Sequence, residues 1–109
     1  MDAFYALAEP RRRRIIELLA LKGQLNATEI CKCFDITAQA VSQHLRVLLD
    51  AGLLRMERRA QRRIYSINTE SISEVEAWAS RIDSMWNERF DLLESVLESE
   101  MKDLKKRSR

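Results

Sequence analysis

The sequence predicts a mostly helical protein that carries one β-hairpin. The chain of 109 residues has only 2 Gly and 1 Pro, too few turn residues for a β-sandwich or a β-barrel. Apolar residues recur at helical spacing over most of the chain, and they alternate with polar residues only after Gly52. The hydrophobic fraction of 46% suffices for one core, and no apolar run approaches the roughly 20 residues that span a bilayer. We therefore expect a single cytoplasmic domain over residues 1–109 that has no membrane partner.

Two helices are predicted at the start of the chain. Asp2 caps a short first helix, and Pro10 opens a second helix that Gly23 closes after Lys22. Residues 11–14 are four consecutive arginines, which cover a full helical turn. This run has two interpretations: a solvated turn with internal ion pairs, or a turn from which one or two side chains reach phosphate.

A second pair of helices follows, joined by a brief turn. Asn26, with Glu29 three residues later, predicts a capped third helix over residues 27–34. Thr37 caps a fourth helix over residues 38–51, which Gly52 closes. Two short helices with a small and polar outer face on the second are typical of a helix-turn-helix. The residues predicted on that outer face are Ala38, Gln39, Ser42, Gln43 and Arg46.

A β-hairpin is predicted after the fourth helix. Residues 54–58 and 63–67 alternate between apolar and polar side chains, as two half-buried strands do. A basic tip lies between them, although no Gly or Asn marks its turn. Such a hairpin is called a wing, and the predicted architecture is a winged helix-turn-helix of order ααααββα.

A long helix is predicted at the end of the chain. Apolar residues recur every three or four positions over residues 71–104, so this helix would be about 50 Å long. A DNA-binding core of residues 1–70 cannot cover that length, and a second copy of the chain is the simplest partner. The last residues, 105–109, are expected to form a frayed basic tail. The residues predicted to lie in the homodimer interface are Phe4, Ile82, Trp86, Phe90, Leu93 and Leu97.

The charge is unevenly distributed along the chain. Residues 1–70 hold 12 Lys+Arg against 8 Asp+Glu, a formal charge of +4, whereas residues 71–109 hold 7 against 9, a charge of −2. A basic first part joined to an acidic, periodic second part indicates that the first part faces a polyanion. We expect that polyanion to be double-stranded DNA.

Several segments match the pattern of one known family. The most specific is Val41-Ser42-Gln43-His44-Leu45, within residues 36–48. The other matching segments are residues 7–13, 51–54, 63–67 and 86–94. In these segments the chain resembles the ArsR/SmtB family of winged-helix repressors, and its end is similar to a metal-independent branch with a long terminal helix. The resemblance implies a homodimeric, sequence-specific repressor of transcription that binds a palindromic operator.

The chain departs from the family pattern at two places. Glu9 and Arg11 stand where the family has Asp and Thr, so we expect the second helix to be capped less well. Ala60 stands where the wing turn usually has Gly. If φ is positive there, Ala costs about 1 kcal/mol, and otherwise the turn takes another shape.

Three groups of residues are predicted to bind DNA. Gln39, Ser42 and Gln43, next to Ala38 on the recognition helix, can reach base edges, with Gln bidentate to adenine as the favoured pair. The predicted phosphate contacts on that helix are Thr37, His44 and Arg46. Arg58, Arg59 and Arg62 on the wing are expected to follow the DNA backbone or to enter the adjacent minor groove. Because no acidic residue lies inside the tip, we expect it not to neutralise itself, with only Glu57 close by.

The remaining reactive residues favour no enzyme and no cofactor. Cys31 and Cys33 are too close together for an ordinary disulfide, and their side chains diverge on a helix, so packing is preferred to metal binding. A metal- or thiol-responsive repressor that uses both cysteines stays open as an alternative. The single histidine and the absence of a Gly-flanked Ser give no catalytic group. An alternative of another class is a protein-interaction module that pairs through its long helix without binding DNA.

Overall fold

The computed structural model describes residues 2–107, which form five α-helices and three β-strands. In chain order these elements are α1 (Ala3–Leu7), α2 (Pro10–Lys22), β1 (Leu25–Asn26), α3 (Ala27–Lys32), α4 (Ala38–Asp50), β2 (Leu54–Arg59), β3 (Arg62–Ile67) and α5 (Thr69–Arg107). The chain divides into two compact units, one up to Glu74 and one from Val75 onward. The predicted mostly helical fold with a hairpin wing is confirmed.

The sheet has a third strand that the sequence pattern does not predict. β1 pairs with β3 in antiparallel fashion, with Leu25 opposite Tyr65 and Asn26 opposite Ile64. The strand order is therefore β1-β3-β2, and the order of elements is ααβααββα rather than ααααββα. A strand of two residues is too short to show an alternating pattern, so no sequence periodicity marks it.

Four predicted helix boundaries differ from the observed ones, the smallest difference being the end of α4 at Asp50 rather than at residue 51. α3 ends at Lys32, before the expected residue 34, because Cys33 and Phe34 already donate their N–H groups in a tightened last turn. α5 begins at Thr69 and continues to Arg107. Residues 105–107, which we expected to fray, are therefore helical, and the last two residues of the predicted tail lie outside the described part of the chain.

One apolar core holds the first unit together. The inward faces of α2 and α4 meet α3 and the base of the sheet, and each large side chain buried there stabilises the fold by about 1.5–3 kcal/mol. The buried residues are Ala6, Ile15, Leu19, Ile30, Val41, Leu45, Leu48, Leu53, Leu54 and Tyr65. This packing leaves the opposite face of α4 toward solvent.

Two of the four consecutive arginines hold α1 against α2. Arg12 Nε donates to Ala6 O at 2.7 Å and its Nη2 donates to Tyr5 O at 3.2 Å. Arg13 Nη1 donates to Leu7 O at 2.6 Å. These carbonyls belong to the last turn of α1, where cations are favoured. Neither interpretation of the arginine run, a solvated turn or a phosphate contact, predicts that Arg12 and Arg13 bind the end of α1.

The start of α2 is well capped, contrary to expectation. The Glu9 carboxylate accepts hydrogen bonds from the backbone N–H groups of Arg11, at 2.7 Å, and Arg12, at 3.1 Å. Partial burial raises the pKa of Glu9, but these two hydrogen bonds and the nearby charges of His44 and Arg11 outweigh it. The pKa of Glu9 therefore lies below its ordinary value of 4.5. Glu9 therefore caps α2 although it replaces the aspartate of the family pattern.

The second unit is the greater part of α5. Its apolar side chains lie on the surface of this unit, and Trp86 and Phe90 meet edge to face with ring centroids 5.2 Å apart. The predicted interface residues of this unit, Ile82, Trp86, Phe90, Leu93 and Leu97, are each between 47% and 57% exposed. Among the described residues, no helix is long and apolar enough to cross a membrane.

Candidate nucleic-acid interface

The outer face of α4 presents a row of short polar side chains. Thr37 caps the helix by accepting a hydrogen bond from the Ala40 N–H at 3.1 Å, which fixes where α4 begins. Because Val41, Leu45 and Leu48 are three or four positions apart and buried, they form one face of the helix, and the residues one or two positions from them point away from the core. The predicted DNA-binding residues that the structure leaves exposed on this helix are Ala38, Gln39, Ser42, Gln43 and Arg46.

The wing turns one of its two faces toward α4. Side chains alternate along the strands, and buried Leu54 on β2 and Tyr65 on β3 mark the face that packs on the core. By the same alternation, Arg58 and Arg63 lie on this face, beyond the core and opposite each other in the ladder. The wing therefore brings two guanidinium groups to the side of the sheet that faces the recognition helix.

A cleft of about 560 Å³ separates the recognition helix from this face of the wing. Its lining combines the amide and hydroxyl groups of α4 with the two arginines of the ladder. The lining residues are Gln39, Ser42, Gln43, Arg46, Leu49, Met56, Arg58, Arg63 and Tyr65. Four of the residues predicted on α4 and one predicted on the wing thus meet in one place.

Arg63 is the residue of this cleft that the sequence prediction missed. In the described chain neither Arg58 nor Arg63 makes an ion pair, although like charges directly opposite on a ladder repel each other. The signal that could have identified Arg63 is the register of the hairpin. A two-residue turn at Ala60 and Gln61 makes residues 58 and 63 partners, whereas a longer tip leaves their pairing undefined.

The other two predicted wing arginines lie elsewhere. Arg59 Nη2 is 3.3 Å from Glu57 Oε2, so the expectation that the tip does not neutralise itself is wrong for this residue. Arg62 lines a second cleft, between the wing tip and the start of α3, together with Lys32. The structure therefore does not bring Arg59 and Arg62 to the cleft beside the recognition helix.

The backbone at the tip of the wing has positive φ at Ala60, the position where the family pattern has glycine. Ala60 has φ +56°, whereas Gln61 is not among the described residues with positive φ. A positive φ at only the first central residue of a two-residue turn is typical of type II′, in which glycine is favoured there. Alanine therefore adopts a strained conformation at this position.

His44 and Arg46 differ in how free they are to reach a phosphate. His44 is half-buried, and its Nδ1 lies 3.5 Å from Nη1 of Arg12, the residue that holds α1. Arg46 is exposed and pairs weakly with Asp50, at 3.5 Å, one turn later on the same helix. An approaching phosphate can replace that exposed partner at little cost.

The two cysteines lie apart from this cleft. Both are free thiols: Cys31 is half-buried against the core, and Cys33 is exposed with its Sγ 3.5 Å from the Glu29 carbonyl oxygen. Over residues 2–107, no group of three or more His, Cys, Asp or Glu side chains is placed to hold a metal ion.

Comparisons with known proteins point to one family. A family model described as a helix-turn-helix domain matches residues 7–57. The transcriptional repressor SdpR of Bacillus subtilis (strain 168) is 32% identical over 77 residues, which cover 71% of this chain and 84% of that protein.

Two solved structures share the fold. The ArsR family transcriptional regulator RHA00566 has a TM-score of 0.70 at 31% identity and covers 77% of this chain and 86% of its own. The homodimeric winged helix-turn-helix DNA-binding domain of Mb0332 from Mycobacterium bovis has a TM-score of 0.59 at 28% identity and covers 73% of each chain.

Proposed function

Because the chain belongs to the ArsR family of winged helix-turn-helix transcriptional regulators, we propose that it represses transcription by binding a palindromic operator as a homodimer. The similar protein SdpR is named as a transcriptional repressor, and the similar domain of Mb0332 is a homodimer. A role on double-stranded DNA supports a location in the cytoplasm. The observation that carries the proposal is the cleft in which the polar face of α4 meets Arg58 and Arg63.

The recognition helix reads the bases in this proposal. Gln39, Ser42 and Gln43 are exposed on a helix whose other face is locked into the core, so they can enter a major groove without unfolding anything. The side-chain amide of a glutamine can donate to N7 of adenine and accept from its N6 amino group at the same time, in one plane. Thr37, Ala38 and Arg46 lie at the edges of the same face, where phosphates pass.

The wing supplies charge in this proposal. Arg58 and Arg63 repel each other across the ladder, and a phosphate between the wing and α4 removes that repulsion. Arg59 contributes less to DNA binding than an unpaired arginine would, because its charge is partly neutralised by Glu57. The wing contact on the cleft side is therefore assigned to Arg58 and Arg63.

The long helix supplies the dimer contact in this proposal. Trp86, Phe90 and Leu93 are at least half exposed in the single chain, which is an unusually large apolar area for the surface of a monomer. Pairing with a second copy buries these side chains and sets two recognition helices about 34–36 Å apart, which is one turn of DNA. Phe4 of α1, 48% exposed, is assigned to the edge of that interface.

The salt dependence of DNA binding tests the proposal. Each phosphate contact lowers log affinity by about 0.9 per unit of log salt, so replacing Arg58 and Arg63 by Ala in both subunits should flatten the slope by about 3–4 units. Arg59→Ala is the matched control. It should flatten the slope by less than Arg58→Ala or Arg63→Ala does alone.

The experiment uses a gel shift or fluorescence anisotropy on an operator selected from a random DNA pool and on unrelated DNA. A wild-type protein that shows no salt-dependent binding to DNA would contradict the proposed function and favour a protein-interaction module. A slope that drops equally in Arg59→Ala would contradict the assignment to the cleft.

A further inference from the structure

Asn68 joins three elements at one point within the first unit. It lies between β3 and α5, and its side chain reaches both the turn after α4 and the first turn of α5. Asn68 Nδ2 donates to Gly52 O at 2.8 Å and to Ser71 Oγ at 3.1 Å, and its Oδ1 accepts from Arg55 Nη2 at 3.2 Å. We name this cluster of Gly52, Arg55, Asn68 and Ser71 the clasp.

Backbone hydrogen bonds end α4 without any contribution from the side chains of the clasp. Gly52 has φ +77°, its N–H donates to Leu49 O, and the N–H of Leu53 donates to Leu48 O, both at 3.0 Å. These bonds satisfy the last carbonyls of the helix from within the chain turn. The Gly52 carbonyl is left over, and it accepts two side-chain donors from the next part of the chain, at 2.7 and 2.8 Å.

Three residues of the clasp, Gly52, Asn68 and Ser71, form a closed hydrogen-bonded ring. Ser71 Oγ donates to Gly52 O, accepts from Asn68 Nδ2, and thereby completes a triangle of three groups. All three residues are half-buried, where hydrogen bonds are stronger and unpaired polar groups cost more than in water. The backbone of Asn68 adds two further bonds, to Leu53 O at 2.9 Å and from the Ile72 N–H at 3.4 Å.

The orientation of the Asn68 side chain is not that of a helix cap. Asparagine before a helix ordinarily accepts from the N–H groups of the first turn. Among the described residues, the Oδ1 of Asn68 accepts only from Arg55, whose guanidinium also lies 4.0 Å from Glu70. Asn68, a residue type that often caps helices, thus binds Gly52 after the end of α4 and Arg55 at the start of the wing.

We infer that Asn68 is a positioning residue that sets how the two recognition helices of a dimer are spaced on DNA. The inference rests on the proposed function. In the proposed function α4 reads the bases and α5 carries the dimer contact. The clasp ties the turn after α4 to the first turn of α5, so within the first unit it fixes where α5 starts relative to the recognition helix. Two half-sites must match that geometry at once, and a looser clasp tolerates more than one spacing.

The test measures the affinity of the full-length protein for operators whose half-site centres are 9, 10, 11 and 12 base pairs apart. Asn68→Asp keeps an acceptor for Arg55 but removes both donors, and Ser71→Ala removes the hydroxyl. Ser71→Thr restores the hydroxyl and should restore wild-type behaviour. Thr69→Ala, an exposed change in the same turn, is the control. Sedimentation and thermal unfolding check that each variant is a folded dimer.

The wild type and Thr69→Ala should prefer one spacing. Asn68→Asp and Ser71→Ala should lose about tenfold in affinity at that spacing, as a lost base contact would, while the other spacings and random DNA change little. A preference that survives in both variants overturns the inference and leaves the proposed function intact. An equal loss at every spacing, or unfolding of both variants, also overturns it, because the clasp would then serve stability alone. A wild type with no spacing preference overturns the inference and the palindromic operator together.

Discussion

At the scale of single residues, Glu9 makes the start of α2 sensitive to acid. Its carboxylate accepts two backbone hydrogen bonds, and its folded pKa is lower than its ordinary value of 4.5. A carboxyl group with a lowered folded pKa contributes stability above its unfolded pKa and loses it as pH falls through the folded pKa.

We expect Glu9→Gln to be less stable than the wild type at pH 7, and we expect that difference to vanish as pH falls below 4.5. Urea unfolding at a series of pH values measures it. Glu17→Gln, which removes a charge from an exposed position later in α2, is the control. A difference between wild type and Glu9→Gln that stays constant with pH would contradict the role of the ionised carboxylate.

At Ala60 the backbone conformation determines how a substitution changes the free energy of unfolding. Its φ of +56° disfavours any residue with a Cβ, and glycine adopts this conformation without that penalty. Ala60→Gly should therefore raise the free energy of unfolding by about 0.5–1 kcal/mol, after the greater chain entropy of glycine is included. Thermal or urea unfolding measures the gain. Gln61→Gly, at the neighbouring turn position without positive φ, should destabilise the protein, and a gain from both variants would refute the argument.

At the scale of elements, α1 depends on side chains of α2. A helix of five residues does not persist alone, because nucleation costs more than so few hydrogen bonds return. The planar guanidinium of Arg12 serves two carbonyls of α1 at once and also lies over the Tyr5 ring, 5.5 Å from its centroid. A lysine ammonium cannot reproduce that fork.

Arg12→Lys should therefore release α1 while the core stays folded. Hydrogen exchange followed by mass spectrometry should show faster exchange over residues 3–8 and unchanged exchange over α4. Arg11→Lys, one position earlier in the same helix, is the control, because the described side chain of Arg11 donates no hydrogen bond to α1. Equal protection of α1 in the two variants would show that packing and the hydrogen bonds of Arg13 hold it without Arg12.

The apolar spacing of α5 determines how it can pair with another helix. From Val75 to Leu97 the apolar positions step by 4, 3, 4, 4, 3 and 4 residues, which is a period of 11. Eleven residues in three turns slightly exceed the period of a straight α-helix, so paired helices should run nearly straight or with a slight right-handed twist. A crystal structure of the dimer measures the crossing, and a left-handed supercoil along this segment would contradict the expectation.

Helical elements could be predicted from the sequence, whereas the joints between elements could not. The stripes of α2, α4 and α5 and the caps at Asn26 and Thr37 are local signals that repeat or stand at fixed offsets. Pairings between distant residues have no such signal. Arg63 enters the cleft because of a register that depends on the turn at Ala60, and Asn68 reaches Gly52 across 16 positions.

At the scale of the whole molecule, the exposed apolar face of α5 requires a partner. Phe90 and Leu93 lie at its centre, so Phe90→Glu with Leu93→Glu should give monomers and abolish operator binding, while the fold of the first unit persists. Sedimentation velocity and circular dichroism measure the two effects. Ser84→Glu with Ser95→Glu adds the same charge to the opposite side of the helix and should leave the dimer intact. A double variant at Phe90 and Leu93 that remains dimeric would refute the proposed interface.

The same uncovered face of α5 has a consequence for how sharply a gene could be controlled. If the chain binds its operator only as a dimer, the dimer concentration varies with the square of the monomer concentration wherever monomers predominate. Where the operator is mostly unoccupied, a twofold fall in the amount of protein in a cell would then lower operator occupancy about fourfold. Strengthening the interface, for example by replacing Ala79 with a larger apolar residue, would make that response more gradual. The size of a few side chains on one helix would thus set the threshold at which the cell senses the abundance of its own regulator.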